Sequence, residues 1–352
     1  MICRGRLVFL FLGFFVFALC VAPLLPTFYY LARLPFVWDR SASQALLSAE
    51  RDLFDITFES FSANYSTADS GTEPLIPARL HHIHLGTLPP APEWIAARAE
   101  CLRHHDSWEA YMWDDAKASQ FVSEFYPHLE KMWKGYPYVV QRVDALRYMI
   151  LAVHGGAILD YDLACKRSME PLRRFEFVAP VAHPTGFSVG MMLASPNSSF
   201  VHTLVHSLPR FKRRWLLLPY ATVMFSTGCH YASTIYTMIP DSLRTGARFL
   251  TGTPDKPSLH MLNGLVDTPL FRHLGSSSWH NKDAQVISLF KRLDRRVLLA
   301  VSVFVLVASF TFTLVACLRR YRASSSVAAA ARGDVEATAV AWLSLGPWKK
   351  YA

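Results

Sequence analysis

Apolar residues crowd the two ends of this chain and alternate with polar ones between them. Leu7 to Leu25 reads LVFLFLGFFVFALCVAPLL behind Arg4 and Arg6, and Val297 to Leu318 carries no charge. Each run is long enough to cross a hydrocarbon core, which takes about 20 apolar residues. The first reads as an uncleaved anchor or as a signal peptide trimmed among the small residues from Ala18 to Ala22. Its length and its continuation into TFYYLARL favour the anchor. The second reads as a membrane span. Arg295 and Arg296 precede it and Arg319, Arg320 and Arg322 follow it, so arginine counting does not orient it.

Between the runs the pattern is that of a stem and one α/β domain. Residues 34 to 73 show no clear period and are expected to be a membrane-proximal linker. IPARLHHIHLG predicts a strand, PEWIAARAECLRHH a helix with Pro92 near its start, and SWEAYMW a second strand with Asp114 capping the helix after it. Val139, Val143, Leu146, Ile150 and Val153 form a stripe at helical spacing, while Gln141, Arg142, Asp144, Arg147 and Tyr148 fall away from it. Gly155-Gly156 ends that helix and AILD supplies a buried strand; FEFVAPVA and FSVGMMLAS predict further strands. The alternation favours a sheet of parallel strands. The expected organisation is therefore an anchor over 1–33, a stem over 34–73, a catalytic domain over 74–290, a transmembrane helix over 297–318 and a cytosolic tail over 319–352.

Composition and short motifs add to this picture in four places. The 352 residues are 52% hydrophobic with a net charge of +9, and much of the basic excess flanks the apolar runs, where anionic lipid head groups are the natural partner. No motif that reads DNA or RNA is present, and no nucleic-acid partner is expected. The six cysteines include no CxxC spacing, which argues against structural zinc; one disulfide among Cys101, Cys165 and Cys229 is compatible with the sequence, without a choice of pair. Asn64-Tyr65-Ser66 and Asn197-Ser198-Ser199 are N-glycosylation sequons and lean toward a lumenal central domain. The tail ends Lys349-Lys350-Tyr351-Ala352, which is similar to a dilysine retrieval signal read in the cytosol.

The candidate chemistry centres on Asp160 and Asp162, which follow the buried strand AILD. Residues one apart on a strand point the same way, so two carboxylates at a strand end can converge on one hard divalent cation. Ligands of open α/β sheets collect beyond the carboxyl ends of the strands, where this pair falls.

Four blocks then carry a resemblance: IPARLHHIHLG, RVDALRYMILAVHGGAILDYDLACKRSMEPL, LPYATVMFSTG and GSSSWHNKDA, in order from Ile76 to Ala284. In them the chain resembles the DXD-containing sugar transferases of the GT-A fold related to yeast α-mannosyltransferases, and within these the catalytic subunits of fungal mannosyl-inositol-phosphoceramide synthases. The resemblance implies a GT-A-like, Rossmann-like domain flanked by transmembrane helices. It implies retaining transfer of mannose from GDP-mannose to inositol phosphoceramide, with Mn²⁺ or Mg²⁺ bridging the donor's phosphates. Asp162 is then the direct metal ligand and Asp160 a water-mediated or ribose contact. Asp144 and Arg147 bind the donor's hydroxyls and phosphate, with Arg142 either beside them or covering apolar surface. His280 is the third metal ligand, and Trp279, Ser277 and the first-strand His81 line the donor site, with Asn281 a weaker candidate. Ser226-Thr227-Gly228 matches an acceptor-side loop or is a structural turn.

Three positions depart from the family pattern. Ile158 replaces a tyrosine, Val189-Gly190 replaces an Asn-Asp pair, and His84 replaces an aromatic beside the base. They leave open a catalytically impaired relative that acts as a partner subunit, or an α-mannosyltransferase with a glycan acceptor. A metal-dependent phosphohydrolase using the same aspartates lacks a second carboxylate and histidine cluster. The sphingolipid branch further implies a small regulatory membrane subunit and residence in Golgi or early secretory membranes, with the catalytic domain lumenal and the tail cytosolic.

Overall fold

The computed structural model describes residues 25–66, 73–215 and 218–275, together with Phe304 and Thr311. Both apolar runs, the tail, and Ser277, Trp279, His280 and Asn281 lie outside the described residues, with Leu25 of the first run and Phe304 and Thr311 of the second excepted. Among the described residues no helix is long and apolar enough to cross a membrane. The chain divides into two compact units, Met1–Gln285 and Val286–Ala352, and the first contains the domain.

In chain order the first unit runs α1 (Leu25–Ala42), α2 (Ala49–Asp52), β1 (Arg79–Ile83), α3 (Pro92–His104), β2 (Glu109–Trp113), α4 (Asp115–Phe125), α5 (Pro127–Lys134), α6 (Val139–His154), β3 (Gly156–Leu159), β4 (Leu163–Cys165), β5 (Phe177–Pro180), β6 (Met191–Ala194), α7 (Ser199–Phe211), α8 (Pro219–Ser226), α9 (Cys229–Met238), β7 (Ala247–Leu250), β8 (Leu265–Asp267) and β9 (Phe271–Leu274). The expected local signals operate: Pro92 opens α3, and Asp114 caps α4 by accepting from the Lys117 amide at 2.8 Å. Gly155 and Gly156 break α6 with φ of 60° and 97°, values that β-carbons disfavour.

The main sheet has the order β2-β1-β3-β6-β5-β7. All its strands run one way except β6, which is antiparallel to both β3 and β5. The expectation of a parallel sheet is corrected at this strand. Its reversal matters because it brings the lead-in to β6 beside the carboxyl end of β3. A second, antiparallel sheet of β4-β9-β8 continues from that end.

Two apolar clusters cover the sheet's faces, and the expected stem contributes to both. Leu31, Leu34, Trp38 and Ala42 of α1 join the cluster that holds Phe177, Phe187 and Phe249, while Leu47, Phe54 and Phe58 join the cluster around Leu80, Leu159 and Leu193. Leu46 bridges to Phe249 and closes the β7 edge, a place where an open strand would invite foreign pairing. Residues 34–66 are thus built into the domain rather than forming a free linker. Their apolar side chains lack a simple period because the chain turns between the two faces.

Candidate active site

Helix α6 sets the chemistry of the sheet's rim. Its apolar stripe predicts an outward polar face, yet Gln141, Asp144, Arg147 and Tyr148 are all buried, while Val139 is 45% exposed. The polar face is turned inward. A buried arginine and aspartate demand partners. Arg147 Nη2 lies 3.3 Å from Asp144 Oδ1 and 3.1 Å from Asp160 Oδ1, and Nη1 donates to the Val189 carbonyl. Asp144 Oδ2 accepts from Thr227 Oγ1 at 3.1 Å. Burial opposes the charge on Arg147, but Asp160 and Asp144 more than offset this and hold it protonated. Burial likewise raises Asp144 against the pull of Arg147 and Thr227.

Asp160 and Asp162 do not lie on one strand as expected. They occupy the turn between β3 and β4, closed by the Leu163 amide donating to the Asp160 carbonyl at 3.2 Å, with the 7%-exposed Tyr161 turned inward. The Asp160 amide donates to the Gly190 carbonyl at 2.8 Å, so the reversed strand β6 pins the turn. The Asp160 side chain keeps 43% of its surface open. Burial of its inner part, with repulsion from Asp162 and Asp144, outweighs Arg147 and pushes its pKa up to about 6.

Asp162 is nearly buried and meets His273 of β9, with Oδ2 3.2 Å from Nε2. The His273 Nδ1 faces the Gly264 carbonyl, which can only accept, so Nδ1 carries a proton. The Nε2 and Asp162 contact is then bridged by a proton, carried by the ring or by the carboxyl, or by a cation shared between them. Burial disfavours a charged ring here, but the bond to Asp162 and its charge, with Gly264 and Asp160, raise the His273 pKa above its ordinary value. Two carboxylates and one imidazole make a donor set that fits Mn²⁺ or Mg²⁺, although the described residues do not form a preassembled cluster of three ligands.

Sequence reasoning singled out His280, which lies outside the described residues with Trp279 and Ser277, and passed over His273. The signal available was its spacing within FRHLG, a strand that pairs back onto β4. His81 is corrected. It is fully buried, Nε2 bonds the Gly155 carbonyl at 2.9 Å, and Nδ1 accepts from Trp113 Nε1 at 3.3 Å, leaving no nitrogen for a donor substrate. Its pKa falls to about 3 because burial penalises the charged ring. Arg142 stacks over Trp133 at 4.4 Å and pairs with Asp115 at 2.8 Å, the surface-covering alternative. Ser226 and Thr227 are fully buried and bonded to α6 through Gln141 and Asp144, which makes their loop a structural turn. Ile158 lies in the core, paired across the sheet with His81 and Met192. A β-carbon at Gly190 would sit 2.8 Å from Asp160 Oδ2, so glycine gives that carboxylate its room.

Of the three cysteines, Cys101 of α3 and Cys165 of β4 form a buried disulfide just past the acidic turn, and Cys229 is free. Asn64 and Asn197 are both exposed, as glycosylation requires.

Residues 91–178, which include α6 and the acidic turn, match the family described as the glycosyltransferase sugar-binding region containing the DXD motif. Over 233 residues the chain is 31% identical to inositol phosphoceramide mannosyltransferase 1 of Schizosaccharomyces pombe, covering 64% of this chain and 68% of that protein. It is 29% identical over 248 residues to the mannosyl phosphorylinositol ceramide synthase CSH1 of Saccharomyces cerevisiae, covering 68% of this chain and 62% of that one. It is 30% identical over 258 residues to SUR1 of the same yeast, covering 70% and 64%. The chain thus spans somewhat under two thirds of the two budding-yeast relatives. Among solved structures the PaToxG glycosyltransferase aligns with a TM-score of 0.36 at 15% identity, covering 51% of this chain and 74% of that one, a likeness too slight to bear on the fold.

Proposed function

We propose a function from this premise: the chain belongs to the DXD-containing glycosyltransferase family that includes these inositol phosphoceramide mannosyltransferases. On our reading it transfers mannose from GDP-mannose to the inositol of inositol phosphoceramide, using a GT-A arrangement of its sheet. The observation that carries this reading is the acidic turn at the rim, with Asp160 anchored from within by Arg147 and Asp162 flanked by His273.

Asp162, Asp160 and His273 would hold the divalent cation, which when bound offsets the charge that builds on the departing diphosphate. The remaining work falls to the protein. Arg147 keeps Asp160 oriented and ionised when the pair is engaged, and Asp144 keeps Arg147 in place. Asp144 is occupied by Arg147 and Thr227, which argues against its use as a covalent nucleophile toward the sugar. We therefore favour retention through attack by the acceptor hydroxyl on the face the diphosphate leaves, the diphosphate taking the proton.

The disulfide and the exposed sequons support a lumenal, secretory setting for the domain, with the apolar runs as its membrane segments. The test is to incubate the purified full chain with Mn²⁺, GDP-mannose and inositol phosphoceramide and to follow GDP release and the mannosylated lipid by mass spectrometry. Product formed by the wild type and lost in Asp162→Asn is the expected result. Absence of product from wild-type protein with its disulfide intact would overturn the reading.

A further inference from the structure

Helix α1 is apolar on two opposite sides. Leu31, Leu34, Trp38 and Ala42 face the core, and α1 packs there against α9, with His230 Nε2 2.7 Å from the Leu31 carbonyl. The opposite side carries Leu25, Phe28, Tyr29, Ala32 and Phe36 at spacings of three and four, a second continuous stripe. Its four large members are each 55–59% exposed. The other large exposed apolar side chains of the domain, among them Leu88, Leu243 and Leu265, lie at least seven positions from one another along the chain and form no such stripe. A helix clothed in apolar residues on both sides needs a cover for each.

Basic and aromatic groups border the outer stripe. Phe28 meets Trp215 with ring centroids 6.3 Å apart, Arg33 lies over Tyr29 and Tyr30, and Arg210 at the end of α7 lies 5.5 Å over Tyr30. Arg213 and Arg214 follow in the segment leading to Trp215 and to the 46%-exposed Leu218. Among the described residues none of Arg33, Arg210, Arg213 and Arg214 is ion-paired to a carboxylate. The stripe ends at Asp39 and Arg40, where the helix turns polar.

We propose that this face of α1, with Arg210–Trp215 and Leu218, rests on an anionic lipid bilayer as an interfacial platform for the domain. Two further facts choose that occupant. The residues directly ahead of Leu25 in the chain are the apolar run from Leu7, so the stripe begins where a membrane segment is expected to end. Amphipathic aromatics beside arginines also match the chemistry of the head-group region, where rings sit at the acyl boundary and cations meet lipid phosphates. The platform restricts the tilt of the domain in a way that a flexible stem does not.

The test places benzoylphenylalanine at Phe28 or Phe36 in the full chain, reconstituted in vesicles of phosphatidylcholine alone or of equal parts phosphatidylcholine and phosphatidylserine. After irradiation, adducts are identified by mass spectrometry, with the same group at Leu243 and Leu265 as controls. Lipid adducts at positions 28 and 36 but not at the controls, in higher yield with phosphatidylserine, are expected. Arg210→Glu with Arg214→Glu should abolish the phosphatidylserine increment. Adducts to protein, no adducts, or equal yield at the controls would overturn the platform. Equal yield in the two vesicle types with the arginines intact would overturn its anionic character. None of these readouts needs catalysis, so the result stands apart from the donor and acceptor assignment.

Discussion

Replacing Arg147 by methionine separates the structural from the chemical duties of the rim. The change preserves much of the side chain's volume but leaves the Asp144 carboxylate, 5% exposed, with Thr227 as its remaining neutral partner. Stranding one member of a buried ion pair costs about 3–5 kcal/mol. Asp160 adds little to this figure, because 43% of its side chain is open to water, which screens the loss. For a domain of this size each kcal/mol lowers the melting temperature by roughly 2–4 °C, so a fall of about 6–20 °C is expected. Asp144→Asn in the same background removes the stranded charge while an amide oxygen still accepts from Thr227, and most of the stability should return. Activity should not, since Asp160 has lost its inner anchor. Thermal melts of the detergent-solubilised chain, paired with GDP release, read both quantities. A single Arg147→Met variant melting within about 2 °C of wild type would refute the ion-pair argument. A double variant recovering full turnover would refute the anchoring role.

Four further outcomes follow from the same geometry. Because Asp160 titrates near 6 and the His273 pKa is also raised, both groups must lose a proton before they can hold the cation, so Mn²⁺ affinity measured by calorimetry should rise with pH through both titrations and weaken by at least about tenfold per pH unit below 6. The Asp160 pKa is raised above the ordinary 3.8, so its contribution to cation-free stability is present below about 4 and is lost as pH rises through about 6, a trend that cation-free melts would reveal. Gly190→Ala should displace Asp160 at a cost of about 1 kcal/mol in side-chain strain, visible as a roughly fivefold loss in kcat/KM with a melting temperature lowered by only about 2–4 °C. His273→Ala should weaken Mn²⁺ binding by about 10- to 100-fold, followed by the free-ion signal in electron paramagnetic resonance, and a change under twofold would remove it from the site.

Much of the framework was legible in the residues. Turn and cap signals at Pro92, Asp114 and Gly155-Gly156 act locally, so the sequence exposes them directly. The acidic pair could be placed at a strand end because AILD is a buried run followed at once by Asp160. The inward face of α6 was not legible. Periodicity separates apolar from polar positions, and it cannot distinguish a solvated polar face from one paired internally through Arg147. The reversal of β6 was hidden for a related reason, since MMLA is buried whichever way it runs. His273 escaped notice because its partner Asp162 is distant in the chain and reaches it only through the pairing of β4 with β9. The path of residues 34–66 was obscured by their use of both faces of the sheet.

The sulfur bridge between Cys101 and Cys165 has a practical bearing on any attempt to produce the protein. It fastens β4 to α3 immediately beyond Asp162. A reducing cytosol keeps such thiols apart. Material made in a bacterial cytoplasm would therefore carry an unclamped acidic turn, and its inactivity would reflect the host's redox chemistry. Secretory production in a eukaryotic host is the condition under which a negative assay carries weight.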